Sequence, residues 1–207
     1  MLKLCTTRWL FPIVSAAILG CDDTATHQAE PPVATAKALH SPAEIGDSTA
    51  SESTGDPSAT TTRNFDGAIF QVPGAWKETP RKSEFITAEF QVSGSGGPAR
   101  LTLSTAGGRV EDNLERWRGQ FASSPSDPPA KQSMLTVDGR EATLVELFGT
   151  FRDSFGGGEP KPQWAMLGAV IPLKQTNYFV KLTGPQTTLS EARDAWIKFV
   201  ETAEFKQ

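Results

Sequence analysis

Two cysteines and two histidines are all that this 207-residue chain contains, and Cys5, Cys21, His27 and His40 all lie before residue 41. From residue 64 onward neither type occurs. Ser-His-Asp and Cys-His nucleophilic sites are therefore excluded there, together with zinc and iron sites built on those ligands. A disulfide is excluded in the same stretch. An excess of charge of one sign is missing too, since residues 64–207 hold 16 Lys and Arg against 17 Asp and Glu. Nucleic-acid binding, which needs a basic face to displace counterions, is not expected, and neither is a polybasic membrane patch. The glycine runs Gly94-Ser95-Gly96-Gly97 and Gly156-Gly157-Gly158 lack the following Lys and Ser/Thr of a phosphate-binding loop, so both are turns. Long apolar runs are absent: Trp9 to Leu19 is the first such segment and is too short to span a bilayer core of about 30 Å.

That short run belongs to an address signal. Lys3 and Arg8 give a positive start, the apolar run follows, and Ile18-Leu19-Gly20-Cys21 closes it. The arrangement resembles the lipobox of bacterial lipoproteins. The resemblance implies a signal peptide over residues 1–20, acylation of the Cys21 thiol, and a permanent lipid anchor in the cell membrane, facing the periplasm or exterior. Several acyl chains hold stably because each buried methylene adds about 0.8 kcal/mol. Asp22 resembles an inner-membrane retention signal.

Residues 22–63 contain no aromatic residue, thirteen Ser or Thr, eight Ala and four Pro. Such a segment cannot bury enough apolar area to offset its ordering entropy, so residues 21–63 are expected to be a lipidated, disordered tether. Its reach is roughly 35 Å root-mean-square. The domain proper is expected over 64–207, a length suited to a single core.

Alternation predicts strands at Phe65–Val72, Glu84–Val92 and Arg100–Thr105. A hairpin is expected between Met134–Val137 and Glu141–Phe151 about Asp138-Gly139, and another between Trp164–Leu173 and Tyr178–Thr183. Thr143–Phe151 and Ala165–Leu173 are apolar on both faces and need a layer above and a layer below. Val110, Leu114, Trp117 and Phe121 mark one helix; Leu189, Ala192, Trp196, Phe199, Val200 and Ala203 mark a second, with Thr188-x-x-Glu191 as its capping box. The expected fold is α+β: a mainly antiparallel sheet of about six to seven strands flanked by helices on both faces. The loop Arg152–Gln163 is expected to be mobile.

Carboxylates alone could still perform acid-base work. Glu89 falls on the polar side of its strand; Glu146 interrupts an apolar face, as an ion pair with a neighbouring strand or a sheet edge would require. The richest surface pattern is on the first helix, where Asn113, Arg116 and Gln120 share one sector and Trp117 sits where it meets the apolar stripe. Amide, guanidinium and indole in one stripe could clamp a partner's carboxylate or backbone. The same side chains could instead fasten the helix to the sheet.

Asn113-x-x-Arg116-Trp117-x-x-Gln120, Lys181-Leu182-Thr183-Gly184-Pro185 and Phe70-Gln71-Val72-Pro73-x-x-Trp76 look like runs in a group of uncharacterised bacterial lipoproteins. The element order is similar to the α/β/α sandwich of PsbP, the extrinsic protein of photosystem II, and of the Ran-binding import factor Mog. That resemblance implies a docking or assembly module; no cofactor is expected. The first functional expectation is accordingly a non-catalytic interaction module for an envelope protein, with Asn113, Arg116, Trp117 and Gln120 as candidate partner-binding residues. The second is a small-ligand receptor with a pocket between sheet and helix or under a glycine-rich loop; a carboxylate hydrolase is third.

Overall fold

A computed structural model describes residues 59–153 and 157–206. All of them fall in the second of the two units into which the chain divides, Ser51–Gln207. The signal segment, Cys21 and the tether as far as residue 58 lie outside the described residues. Eleven strands and two helices follow in order among the described residues: β1 (Thr60–Phe65), β2 (Ala68–Pro73), β3 (Lys77–Glu78), β4 (Ile86–Val92), β5 (Ala99–Ala106), α1 (Val110–Arg118), β6 (Phe121–Ala122), β7 (Lys131–Val137), β8 (Arg140–Phe151), β9 (Lys161–Pro172), β10 (Asn177–Pro185), α2 (Gln186–Glu201) and β11 (Glu204–Phe205).

Every strand pairing is antiparallel. Eight strands make the main sheet, in the order β3-β4-β5-β10-β9-β8-β6, with β7 also pairing to β8; β1, β2 and β11 form a separate three-stranded sheet. The main sheet therefore exceeds the expected six to seven strands. Part of the difference comes from β3 and β6, two residues each, too short to show an alternation.

The second sheet arises where the sequence suggested one strand. Phe65–Val72 is split by a tight turn at Asp66 (φ 55°) and Gly67 (φ 83°), whose left-handed pair suits a two-residue hairpin. Asn64 Oδ1 accepts the Gly67 N–H at 3.0 Å and holds the turn. β1 consequently takes in Thr60 to Arg63, which composition had assigned to the tether. Those residues are exposed and polar; backbone pairing with β2, a Thr62–Gln71 hydrogen bond of 3.0 Å and an Arg63–Glu78 ion pair of 2.7 Å hold them in place.

Side-chain alternation in β9 divides the core. Ala165, Leu167, Ala169 and Ile171 pack with Leu189, Trp196, Phe199 and Val200 of α2. Met166 and Val170 pack with Leu114 and Trp117 of α1, alongside Val145, Leu147, Phe151 and Phe179. The α2 core also holds the small sheet: Phe70 stacks on Phe199 with ring centroids 4.5 Å apart, and the buried Tyr178 hydroxyl donates to the Phe65 carbonyl at 3.3 Å.

The expected capping box does not form. The chain passes from β10 directly into α2 through Pro185, so Thr188 and Glu191 lie inside the helix. Thr188 Oγ1 donates to the Gly97 carbonyl at 2.7 Å, while Glu191 accepts the Ser95 N–H at 2.9 Å and bonds the Ser95 hydroxyl. Both side chains pin the Gly94–Gly97 turn to the helix. Glu146 likewise finds its partner on α2 and not on a strand, accepting from Arg193 Nη2 at 2.7 Å and Nε at 3.0 Å.

No helix among the described residues is long and apolar enough to cross a membrane.

Candidate ligand-binding cleft

One short helix cannot cover a sheet this broad. α1 has nine residues, and a helix about 10 Å across shields roughly two strands spaced about 4.8 Å apart. Its buried side chains Leu114 and Trp117 sit on the β8–β9 half of their face. The β10–β5–β4 half of that face carries polar residues.

Register places them in rows. Glu89 of β4 lies opposite Thr102 of β5, Thr102 opposite Lys181 of β10, Lys181 opposite Gly168 of β9, and Gly168 opposite Val145 of β8. The adjacent row runs Gln91, Arg100, Thr183, Met166 and Leu147. Each row thus passes from charged to apolar as it goes under α1. Gly168 is where the two regimes meet, because a Cβ there would stand 2.5 Å from Trp117 Cζ3. The missing side chain lets the indole lie directly on the strand.

Above the polar half is a cavity of about 690 Å³, lined by Glu89, Arg100, Thr102, Lys181 and Thr183 from the sheet and by Phe151 and Trp164 at one side. Gln120 Oε1 accepts one Lys181 ammonium proton at 2.7 Å, and the rings of Phe151 and Trp117 lie 5.8 and 6.0 Å from Nζ. Burial pushes the Lys181 amine down to about 8; the nearby Arg100 and Arg116 charges act in the same direction, and Asp153 opposes them. Phe151 and Trp164 stack at 5.7 Å, with Lys161 Nζ 4.3 Å over the indole.

Glu89 is buried and Arg100 grips it with two bonds, Nε to Oε1 at 2.7 Å and Nη2 to Oε2 at 2.9 Å. The Lys82 backbone N–H adds a third at 3.2 Å. The Arg100 guanidinium, and next the Lys82 N–H, hold the Glu89 carboxyl below the usual carboxylate range against the opposing effect of burial. The depressed folded value means the pair stabilises the fold fully above the unfolded value of 4.5 and loses that contribution as pH falls through the folded value. Glu89→Gln is therefore expected to lower unfolding free energy by about 2 kcal/mol at neutral pH, with the deficit shrinking below about pH 4.5. Urea titrations at pH 7 and pH 3 measure the difference; an equal deficit at both would show that the charge contributes nothing.

The stripe expected on the first helix is used differently from a partner clamp, and α1 ends at Arg118, so Gln120 lies past it and Phe121 starts β6. Asn113, Trp117 and Gln120 are buried, and Arg116 alone of the four is exposed. Asn113 Nδ2 donates to the carbonyls of Arg109 at 2.8 Å and Gly107 at 3.3 Å, and its Oδ1 accepts from Arg116 Nη2 at 2.7 Å. Asn113 thereby ties the entry of the helix, Trp117 seats on Gly168, and Gln120 reaches Lys181. The structure brings Trp117 and Gln120 to the cleft's edge as supports for Lys181.

No family model and no curated protein matches the chain. Among solved structures it is similar to cyanobacterial PsbP (CyanoP) from Synechocystis sp. PCC 6803, with a TM-score of 0.49 and 12% identity over 74% of this chain and 96% of that one. It is also similar to a Pseudomonas aeruginosa protein of unknown function described as a putative regulator, with a TM-score of 0.42 and 16% identity over 72% of this chain and 99% of that one. LpqN of Mycobacterium tuberculosis, described as involved in cell envelope biogenesis, gives a TM-score of 0.43 and 18% identity over 74% of this chain and 88% of that one. Nothing about the cleft is carried across from likenesses this distant.

Sequence reasoning met Lys181 and Glu89 without joining them. The signal was present: a lysine stands inside the otherwise apolar Tyr178–Leu182 and a glutamate inside Ile86–Val92. Only the register of three strands turns these isolated polar residues into one floor.

Proposed function

We propose that this chain is a lipid-tethered, non-catalytic binding module of the cell envelope, and that a small ligand seats in the cleft beside Lys181. The observation that carries this reading is the concave floor of charged and hydroxyl side chains contributed by three neighbouring strands. Placing a half-buried ammonium and a buried carboxylate on a sheet works against stability unless each is well paired. A sheet selected only for packing would carry apolar residues there under a second helix.

Of the two occupants weighed from sequence, an envelope protein on the α1 stripe and a small molecule in a pocket, the geometry supports the second. Three of the four stripe residues are committed inside the domain. The tether and the anchor at Cys21 rest on the lipobox resemblance, and the three-layer reading of the fold rests on the separate α1 and α2 cores.

A melting-temperature screen of the detergent-solubilised full chain against a metabolite panel tests the reading. A ligand-dependent rise that Lys181→Met diminishes supports it; a panel without any shift contradicts it.

A further inference from the structure

The nature of the ligand follows from the cleft's charges, granted the binding reading above. We propose that the cleft takes a small organic anion whose carboxylate seats on the Lys181 ammonium, with the Arg100 guanidinium on the same wall.

Three features support this. First, both cations line the same cavity. Lys181 is directly opposite Thr102, and Arg100 lies two residues from Thr102 on the same face. A carboxylate on the Lys181 amine takes a charge-assisted hydrogen bond of about 2.8 Å, and the guanidinium on the neighbouring strand adds a second positive charge to the same wall. Second, Glu89 takes two of the five guanidinium N–H groups, on Nε and Nη2, which fixes the fork and leaves its Nη1 edge as donor. Gln120 takes one of three ammonium protons and aims the amine. Thr102 and Thr183 add hydroxyls to the same floor. Third, four cations line the cavity, Lys82, Arg100, Lys161 and Lys181, against the two carboxylates Glu89 and Asp153, and this positive surplus favours an anion. The stacked Phe151 and Trp164 supply an apolar wall for the ligand's carbon skeleton.

The test uses three probes on the full chain in detergent micelles: sodium benzoate, benzyl alcohol as its neutral counterpart, and phenyl phosphate as the dianion. Titration calorimetry at pH 7 is expected to give benzoate about tenfold or more tighter than benzyl alcohol, as hydrogen bonds to charged groups require. Lys181→Met is expected to remove that advantage, and Lys181→Arg to retain most of it. Raising the pH well above the amine's value of about 8 is expected to weaken benzoate in the native chain. The charged groups around the amine are Lys82 before β4, Glu89 on β4, Arg100 on β5, Arg116 on α1, Asp153 after β8 and Lys161 on β9.

Equal binding of benzoate and benzyl alcohol overturns the carboxylate assignment while leaving a ligand cleft. Phenyl phosphate binding tighter than benzoate overturns it in favour of a dianion. Failure of all three to bind overturns the carboxylate assignment and counts against the cleft itself. The comparison of probes on the native chain decides even if a Lys181 variant folds poorly.

Discussion

Gly168→Val is expected to lower the unfolding free energy by about 3 kcal/mol, among the largest effects of any single addition of atoms to this domain. The new Cβ would stand 2.5 Å from Trp117 Cζ3, 2.8 Å from Cε3 and 3.1 Å from Val145 Cγ2. Trp117 cannot swing away cheaply, because its ring also packs edge-on against Phe179 at 5.5 Å. The result is displacement of α1 from the β8–β9 half of the sheet. A double-mutant cycle identifies the cause. Trp117→Leu alone costs about 2–3 kcal/mol through lost packing, and Gly168→Ala should cost much less in that background than in the native one. Urea unfolding of the four proteins measures the coupling; additive costs would mean that the glycine is not there to admit the indole.

Phe70→Ala is expected to cost about 4 kcal/mol. Phe70 is fully buried, stacked on Phe199, and lies 5.7 Å from Tyr178 and 6.2 Å from Phe65. It is the point at which the three-stranded sheet is bound to α2 and to the main sheet. Phe85→Ala is the natural contrast, because that ring is 78% exposed and its loss should stay within about 0.5 kcal/mol. Thermal unfolding distinguishes the two; comparable losses would mean that the small sheet does not depend on the aromatic cluster. Phe70 packs in the α2 core while the cleft lies on the α1 side, so any Phe70→Ala protein still folded should bind ligand as the native chain does.

Much of this fold was legible from alternation and helical spacing. The strands expected at Glu84–Val92, on either side of Asp138-Gly139 and at Trp164–Leu173 are present with their ends shifted by up to three residues, because each buries one or both faces. The hairpin at Asp66-Gly67 was not expected, although the buried Phe65 stands out of phase with Ala68, Phe70 and Val72 and so marks the break. Thr188 and Glu191 matched a capping pattern, yet the helix begins earlier at Gln186 and their side chains hold a distant turn. No local signal reports a contact ninety residues away.

The candidate site was legible only in fragments. Trp117 and Gln120 were singled out from the helical spacing, and the structure places them at the edge of the cleft, Trp117 on α1 and Gln120 just past its end, where both support Lys181. Alternation puts Glu89 on the polar side of its strand without saying what covers that side. Arg100, at the start of β5, bends back over it and excludes water. Charged residues on three strands become a site only when register aligns them, and register is a property of the whole sheet.

The most direct measurement is an amide chemical-shift map of the full chain titrated with benzoate. Shifts concentrated at Glu89, Arg100, Thr102, Lys181 and Thr183, with the outer residues Glu111 and Glu115 of α1 unmoved, are the predicted result. Shifts centred on that outer helix face, or none anywhere, would contradict a cleft built around Lys181.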